Sequence, residues 1–283
     1  MCTEVASLSQ PTDRNDSPIA GAFDVSRVNA ETAGTIFHNR VHHFSTIGST
    51  QFLAIADAQA GAKGGQVYVA DEQTAGRGRG GHTWHSEPDR GLYITALVRP
   101  SIRGSEVLLL SFAAGLASQR AVAQVCGIHM DLRWPNDLVT PGPGSLKLGG
   151  ILTETALQPD GLLRYAAIGI GINLNQTAMP TDLEGISTSL LLLAGKRVDR
   201  SALAAALLLH LSKQLDSLLQ TPADVLQEFE NASSWVRGKH VTVAEEGGYT
   251  GVTDGLTEAG LLRVRCANGS VRVVRHGGVR EAA

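Results

Sequence analysis

The sequence predicts an α/β domain followed by a small all-β domain. Between residues 40 and 174, short strand-like apolar runs alternate with longer runs whose apolar residues recur at helical spacing. From Trp235 onward the helical runs stop, and four short segments bounded by glycine or asparagine follow, a pattern typical of a small β-barrel. We therefore expect a disordered segment at 1–24, a first domain at 25–232 and a second domain at 233–283.

The elements of the first domain follow from helix caps and apolar spacing. Ser26 is expected to cap the first helix, and Ser49 or Thr50 the second. Phe52 and Ile55 fall on one side of that second helix, which predicts its apolar face. The predicted helices span about 26–37, 49–61, 105–126, 187–194, 199–219 and 222–229, and the predicted strands about 40–44, 66–71, 92–98, 147–152 and 166–174.

Composition and charge argue against several classes of protein. The chain has 283 residues and a formal net charge of -3, whereas proteins that bind nucleic acid usually carry a basic surplus. Cys2, Cys126 and Cys266 are too few and too scattered for a disulfide framework or a zinc site, which fits a reducing cytoplasm. The apolar tract at 202–209 is too short to span a bilayer, and the N-terminus does not read as a secretory signal. We therefore expect a cytoplasmic protein that binds neither DNA nor a membrane.

A glycine-rich loop with two arginines follows the strand at 66–71. Its sequence, DEQTAGRGRGGHTW, places four glycines around Arg77 and Arg79. Glycine lets a backbone approach a ligand closely, and guanidinium groups suit carboxylate and phosphate oxygens. The spacing matches a dinucleotide fingerprint formally, but that motif opens a helix and this loop leads to another strand; a P-loop would end in Lys-Ser or Lys-Thr. Considered alone, the loop fits an anion-binding lid and a plain solvated hairpin equally well.

Polar residues at three other places are also candidates for a site. Ser49 and Thr50 combine a helix N-terminus with hydroxyl groups that could hold an amide or urea oxygen, although a capping role explains them as well. Asn136 and Asp137 lie in a turn after a proline, where side chains can point into a cleft. Lys147 opens a strand that contains two glycines, which would bring its ammonium close to a ligand without obstruction.

Five motifs in a fixed order indicate a family. They are Gly-Ser-Thr at 48–50, QTAGRGR at 73–79 with Trp84 after it, WPND at 134–137, KLGGIL at 147–152 and GIGIN at 169–173. Together with the small C-terminal β-domain, they resemble the biotin protein ligases. The resemblance covers the chain from about Arg40 to its C-terminus, and the pair QTAGRGR and WPND is its most specific part.

The resemblance implies a mixed-sheet, class II synthetase-like catalytic α/β domain that uses ATP with magnesium (Mg2+). Biotin would become biotinyl-5'-AMP, and the biotinyl group would then pass to a lysine of another protein. Gln51 stands where asparagine is common in the family, and Arg133 replaces a common lysine, keeping the charge but not the geometry. The implied roles are catalysis for Lys147, Arg79 and Arg77; biotin binding for Ser49, Thr50, Gln51, Gln73, Arg77, Gly78, Arg79 and Lys147; ATP binding for Trp84, Asn136, Asp137 and Asn173; and magnesium binding for Asp137.

The chemistry of the basic residues agrees with these roles. Joining a carboxylate to the α-phosphate of ATP brings two anions together, and at about 4 Å with an effective dielectric near 20 their repulsion is on the order of 4 kcal/mol. Arg77, Arg79 and Lys147 could offset that repulsion. A glycine-rich loop that closes over the mixed anhydride would also protect it from water.

The resemblance further implies a protein partner, the biotin carboxyl carrier domain of a biotin-dependent carboxylase. Some relatives carry an N-terminal DNA-binding domain, but about forty residues precede the catalytic strand here, so we expect no DNA binding. Members often pair through the catalytic sheet, which makes a homodimer one expectation. Two other functions stay open: a lipoate or octanoyl ligase of the same fold, and a non-catalytic Arg/Gly-loop binding module.

Overall fold

A computed structural model describes residues 22–282 of the chain. Its helices are α1 (Val25–Glu31), α2 (Thr50–Gln59), α3 (Val107–Cys126), α4 (Leu190–Ala194), α5 (Arg200–Gln220) and α6 (Pro222–Ala232). Its strands are β1 (Val41–Ile47), β2 (Gln66–Gln73), β3 (Gly91–Val98), β4 (Asp131–Arg133), β5 (Asp137–Val139), β6 (Lys147–Leu157), β7 (Leu163–Asn173), β8 (Arg237–Val243), β9 (Tyr249–Leu256), β10 (Leu262–Arg265), β11 (Val271–Val274) and β12 (Val279–Glu281).

The first seven strands form one mixed sheet in the order β1-β2-β3-β7-β6-β5-β4. β1 and β2 are parallel, and every other neighbouring pair is antiparallel. The interior strand β3 is buried along its whole length, as expected for a strand covered on both faces. The predicted mixed α/β fold is therefore confirmed.

The two faces of the mixed sheet carry different layers. α3 and α5 pack on one face and on each other, with Leu109, Phe112 and Leu116 of α3 buried at the predicted helical spacing. Both helices are long and apolar enough to cross a membrane by length and composition, but most of each apolar window is buried in the fold, so they form its core. α2 packs on the opposite face against Tyr68 and Tyr165. A cavity lies beside the start of α2 on this face.

α2 does not bury the face that its sequence predicts. Phe52 is 68% exposed, whereas Gln51, Ala54 and Ala58 are buried. The sheet beneath α2 presents large side chains, so the helix approaches closely only through its small residues. Phe52 lies instead on the surface, one residue after the buried Gln51.

The five C-terminal strands form an antiparallel sheet in the order β11-β10-β9-β8-β12. The predicted β-barrel is wrong in one respect: among the described residues, the edge strands β11 and β12 do not pair, so the sheet is open. β12 is an additional strand with no counterpart in the prediction. The sheet shares one apolar core with the first domain, and Trp134 Nε1 donates to Gly260 O at 2.9 Å. α6 ends at Ala232, next to the predicted boundary, which stays a prediction.

The start of the described chain differs from the prediction. Asp24, not Ser26, caps α1, because its side chain accepts from Arg27 N at 2.9 Å. The segment 1–24 is predicted to be disordered, and its residues 1–21 lie outside the part of the chain that the structure describes. Within its last three residues, Phe23 is buried and stacks on His43 with a centroid distance of 5.1 Å.

Candidate active site

The candidate site lies on the α2 face of the mixed sheet, over a floor of glycines. Gly150 on β6 faces Gly171 on β7, and Gly169 lies two residues before it on β7. A Cβ added to Gly171 would lie 2.5 Å from the Trp84 indole, and one on Gly169 would lie 2.6 Å from Gln51 Oε1. These glycines therefore let Trp84 and Gln51 lie directly on the backbone of the sheet.

Buried polar side chains form a hydrogen-bonded chain at one end of this floor. Gln73 Oε1 accepts from Thr50 N at 2.9 Å and from Thr50 Oγ1 at 3.0 Å. Thr50 Oγ1 also lies 2.9 Å from Thr95 Oγ1, which lies 3.3 Å from Gln51 Oε1. Gln51 Nε2 donates to Ala167 O at 3.1 Å. The two hydroxyls have one proton each for three contacts, so one contact has no proton at a time, and the hydroxyl oxygens keep lone pairs that can accept from an N–H group of a ligand.

The glycine–arginine loop covers the floor. We call residues 74–88, between the end of β2 and Asp89, the lid. The lid folds on itself, since Gly78 N donates to His82 O at 2.7 Å and Trp84 N to Gly76 O at 2.9 Å. The Trp84 indole rests on the glycine floor, and its buried Nε1 has no hydrogen-bond partner among the described residues. In this position the lid leaves a cavity of about 50 Å³ above the floor, so it must move to admit a ligand larger than a few waters.

The two lid arginines point in different directions. Arg79 Nη1 donates to Asn136 Oδ1 at 3.0 Å and to Gly277 O at 3.1 Å, which joins the lid to the C-terminal sheet. Burial lowers the pKa of the Arg79 guanidinium, against the opposing effect of a nearby carboxylate. Arg77 Nη1 instead pairs with Glu154 Oε2 on β6 at 3.2 Å. Both arginines border the small cavity, but only Arg79 also borders the larger cleft beside it.

Lys147 reaches the floor because β6 contains an irregularity. Leu138 on β5 pairs with Gly149, but the next residue, Val139, pairs with Lys147, so β6 advances two residues against one. Side chains alternate along a regular strand, which would put Lys147 and Gly150 on opposite faces. The extra residue restores Lys147 to the ligand face, where its Nζ would lie 3.3 Å from a Cβ added to Gly150.

Asp137 holds two cations at this point. Its Oδ1 lies 2.7 Å from Lys147 Nζ, and its Oδ2 lies 2.8 Å from Arg133 Nη2. Burial alone would raise the pKa of Asp137, but the Lys147 ammonium and the Arg133 guanidinium outweigh it and hold the pKa below its usual value. Arg133 also lies over the Trp235 ring at 5.4 Å. The carboxylate is thus ionised and fixes the Lys147 ammonium.

The predicted magnesium site at Asp137 does not fit these contacts. Both carboxylate oxygens are already bonded to cations, and a metal would have to displace one of them. Within residues 22–282, no group of three or more His, Cys, Asp or Glu side chains could hold a metal ion. Magnesium is commonly bound through substrate phosphates and few protein ligands. A site that binds a magnesium nucleotide therefore does not need a set of protein side chains that surrounds the metal.

Two adjoining cavities meet at the basic residues. The small one lies over the glycine floor, and a cleft of about 760 Å³ lies between the mixed sheet and the C-terminal sheet. The residues that line both cavities are Gly78, Arg79, Trp84, Asn136 and Lys147. A carboxylate in one cavity and a phosphate in the other would therefore meet beside Arg79 and Lys147.

Most of the predicted site residues come together here, and one does not. Asn173 lies outside both cavities, because its Nδ2 donates to the buried Thr188 O at 3.0 Å. It supports the loop before α4, so the structure does not bring it to a nucleotide. Thr95, which lines the small cavity, and Glu154, which pairs with Arg77, were not predicted as site residues. Thr95 could have been found from the sequence, because it is a hydroxyl residue within the otherwise apolar run of β3. No feature of the sequence indicates Glu154.

The chain matches known proteins over this region. Residues 44–173 match the Biotin/lipoate A/B protein ligase family. A Biotin--[acetyl-CoA-carboxylase] ligase of Mycobacterium tuberculosis is 32% identical over 222 residues, which is 76% of this chain and 79% of the relative. The Bifunctional ligase/repressor BirA of Bacillus subtilis is 36% identical over 193 residues, or 66% of this chain and 58% of the relative. The chain thus spans little more than half the length of that second relative.

Solved structures give the same result. The biotin protein ligase from Aquifex aeolicus in complex with biotin and ATP superposes with a TM-score of 0.73 at 28% identity, over 86% of this chain and 100% of that one. The Leishmania major biotin protein ligase in complex with biotinyl-5-AMP superposes with a TM-score of 0.59 at 29% identity, over 84% of this chain and 99% of that one. The chain therefore belongs to the Biotin/lipoate A/B protein ligase family, among its biotin protein ligases.

Proposed function

We propose that this protein is an ATP-dependent biotin protein ligase. It activates biotin to biotinyl-5'-AMP and transfers the biotinyl group to a lysine of a biotin carboxyl carrier domain. The observation that carries the proposal is the junction of the two cavities, where Arg79 and Lys147 lie beside a polar pocket for one substrate and a larger cleft for the other.

The polar chain above the glycine floor supports biotin as the small substrate. The ureido ring of biotin has both N–H donors and a carbonyl acceptor. Thr50 and Thr95 have hydroxyl lone pairs that can accept from the ureido N–H groups, and the hydroxyl groups can reorient to donate to its carbonyl. The dithiolane ring of lipoate has no comparable donor or acceptor, so it would exclude water from these polar groups without bonding to them, which disfavours it.

The basic residues support adenylation. In the first step a biotin carboxylate oxygen attacks the α-phosphorus of ATP, and the bond to pyrophosphate breaks. Negative charge then concentrates between the cavities, where the Lys147 ammonium and the Arg79 guanidinium can neutralise it. Asp137 keeps Lys147 in place for this role. Magnesium, bound with the substrate phosphates, would screen the charge of the pyrophosphate.

In the second step the acceptor amine attacks the acyl carbon, and AMP leaves. The ε-amine of the acceptor lysine loses a proton as the amide forms. The intermediate is a mixed anhydride that water would hydrolyse, so the lid must exclude water before the acceptor arrives. The names of several relatives support a carboxylase as the source of the acceptor.

A direct assay tests this function. The protein is incubated with ATP, magnesium, biotin and an isolated carrier domain, and the mass of that domain is measured. The expected result is one biotinyl addition that requires ATP. A matched incubation with lipoate separates the lipoate ligase alternative, and a carrier whose acceptor lysine is changed to arginine is the control. No mass increase with biotin, together with an increase with lipoate, would reject the proposal.

If neither acid is transferred, thermal stabilisation by biotin or by RNA separates a ligand-binding protein from an Arg/Gly-loop nucleic-acid binder. Stabilisation by RNA alone would favour the binding module.

A further inference from the structure

The lid leaves the mixed sheet where two strands part. The pairing of β2 with β3 ends at Ala70 and Tyr93. Beyond this point β2 continues beside β1, and β3 continues beside β7. The two stems of the lid are therefore Asp71 and Asp89, and a single backbone bond joins them, from Asp89 N to Asp71 O at 3.2 Å.

A buried arginine bridges the same two stems from behind the sheet. Arg200 Nη1 lies 2.7 Å from Asp71 Oδ1, and Arg200 Nη2 lies 2.7 Å from Asp89 Oδ1. The Arg200 side chain is 4% exposed. His43 Nε2 shares the same oxygen of Asp71 at 2.8 Å. One guanidinium thus ties together two carboxylates that lie 18 positions apart (89 minus 71).

Local structure alone does not explain an arginine at the start of α5. Arg200 is the first residue of that helix, and a positive charge is unfavourable at the positive end of a helix. Asp89 has a φ of 58°, in the left-handed region, which aspartate tolerates better than most residues other than glycine; its backbone therefore accounts for an aspartate but not for its pairing with Arg200. Neither of the two cavities includes Arg200 or Asp89. Both residues instead find strong partners in each other, because the forked guanidinium can hold one carboxylate on each nitrogen.

We propose that Arg200 is a positioning residue that clamps the two stems of the lid. The clamp fixes the base of the lid while its glycine-rich tip opens and closes over the floor. This inference deepens the proposed function, on which its catalytic consequence rests: a fixed base returns Arg79 and Trp84 to the floor and retains the activated intermediate. Without the clamp, the stems separate and the whole lid moves outward.

The first test measures lid mobility and needs no ligase activity. The unliganded full chain is digested briefly with trypsin, and cleavage after Arg77 and Arg79 is followed by mass spectrometry, relative to cleavage elsewhere in the chain. Asp89→Asn removes the negative charge at the exposed end of the clamp and should fold normally; Arg200→Met removes its centre. We expect lid cleavage to be at least threefold faster in both variants.

Asp199→Asn is the matched control. Asp199 caps the same end of α5 and pairs with the exposed Arg27 at 2.6 Å, but it does not bond to a lid stem. Asparagine is an equally good cap, so this variant should be cleaved at the wild-type rate. Wild-type cleavage in both clamp variants, or equal acceleration in the control, would overturn the proposal.

A second test measures retention of the intermediate. Wild type and Asp89→Asn are loaded with biotin and labelled ATP, and release of labelled biotinyl-adenylate is timed. We expect the variant to form the adenylate within about twofold of the wild-type rate and to release it at least threefold faster. Equal release would overturn the catalytic part of the clamp. If neither protein forms an adenylate while the proteolysis difference stands, the proposed function fails and the clamp itself survives.

Discussion

Replacing Asp137 by asparagine distinguishes a residue that positions Lys147 from a magnesium ligand. Asparagine keeps the shape and one acceptor oxygen but loses the charge that both cations share at 2.7 and 2.8 Å. A hydrogen bond to a charged group contributes roughly 1 kcal/mol more than a neutral one. Two such bonds, reduced for the one-third exposure of Lys147, amount to about 1.5 kcal/mol of folding stability. In a domain of this size that lowers Tm by about 3–6 °C.

The effect of Asp137→Asn on adenylation should be smaller than the loss of Lys147 itself. Complete removal of a preorganised donor slows a reaction by about a hundredfold to a thousandfold. In Asp137→Asn the Lys147 ammonium remains but loses its fixed position. We therefore expect kcat to fall about tenfold, which corresponds to an increase of ~1.4 kcal/mol in the activation free energy. Biotin-dependent pyrophosphate release measures that rate. Asp254→Asn is the control, because Asp254 also pairs with two arginines but borders neither cavity.

A double mutant decides whether Asp137 acts through Lys147. If it does, Asp137→Asn should slow the Lys147→Met enzyme no further, since residues that act as one unit are non-additive. A further tenfold loss in the double mutant would refute the reasoning. Recovery of the single Asp137→Asn mutant at high magnesium would also refute it, because that behaviour belongs to a weakened metal ligand.

Three further outcomes are expected. Lys147→Met should slow pyrophosphate release by about a hundredfold or more, and it should lower Tm because Asp137 Oδ1 loses its cation. Lys63→Met, a surface change, should do neither. Gly171→Ala places a methyl group 2.5 Å from the Trp84 indole, so it should displace the ring and raise the KM for biotin. An altered tryptophan emission in the unliganded protein would report the displacement. Gly115→Ala is the control for added methyl groups, because its methyl would have no neighbour nearer than 3.4 Å. Arg79→Gly should release the adenylate faster and label bystander lysines, and full retention of the intermediate would contradict a lid role for Arg79.

The stability provided by Asp137 should also depend on pH in one direction. Its pKa in the folded protein lies below the usual value of 3.8, so the folded state favours the ionised form. The stabilisation is complete above pH 3.8 and is lost as pH falls through the lower folded-state pKa. Tm differences between wild type and Asp137→Asn should therefore be constant near neutral pH and shrink at strongly acidic pH.

The fold was predictable from sequence where the apolar periodicity of an element matches the residues that the element buries. The apolar spacing of α3 and the apolar run of β3 locate the core, because α3 buries the residues that its spacing selects and β3 is buried along its whole length. The open edge of the C-terminal sheet was not predictable, since closure depends on whether β11 meets β12 and no local pattern encodes that contact. The exposed Phe52 was missed because the size of the sheet side chains beneath α2, not helix spacing alone, decides which face is buried.

The candidate site was predictable where a motif places a residue directly beside the floor. Lys147, Arg79 and Asn136 all reach the junction of the cavities. The partners of these residues could not be found in the same way. Arg200 reaches the lid stems through the helix layer, and Glu154 meets Arg77 from another strand, so both contacts exist only after the sheet and its helices have assembled.

The irregular pairing at the start of β6 limits how this site can be altered. Because the single extra residue, Leu148, turns the Lys147 side chain towards the glycines, regular pairing of β5 with β6 over the same residues would put the ammonium on the opposite face of the sheet, under α3. Insertions in the surface turn at 141–146 should be tolerated, whereas a change that makes this pairing regular without removing a residue should be as harmful as losing the lysine. Spacing, rather than residue identity alone, is thus a constraint that any redesign or transplantation of this motif must preserve.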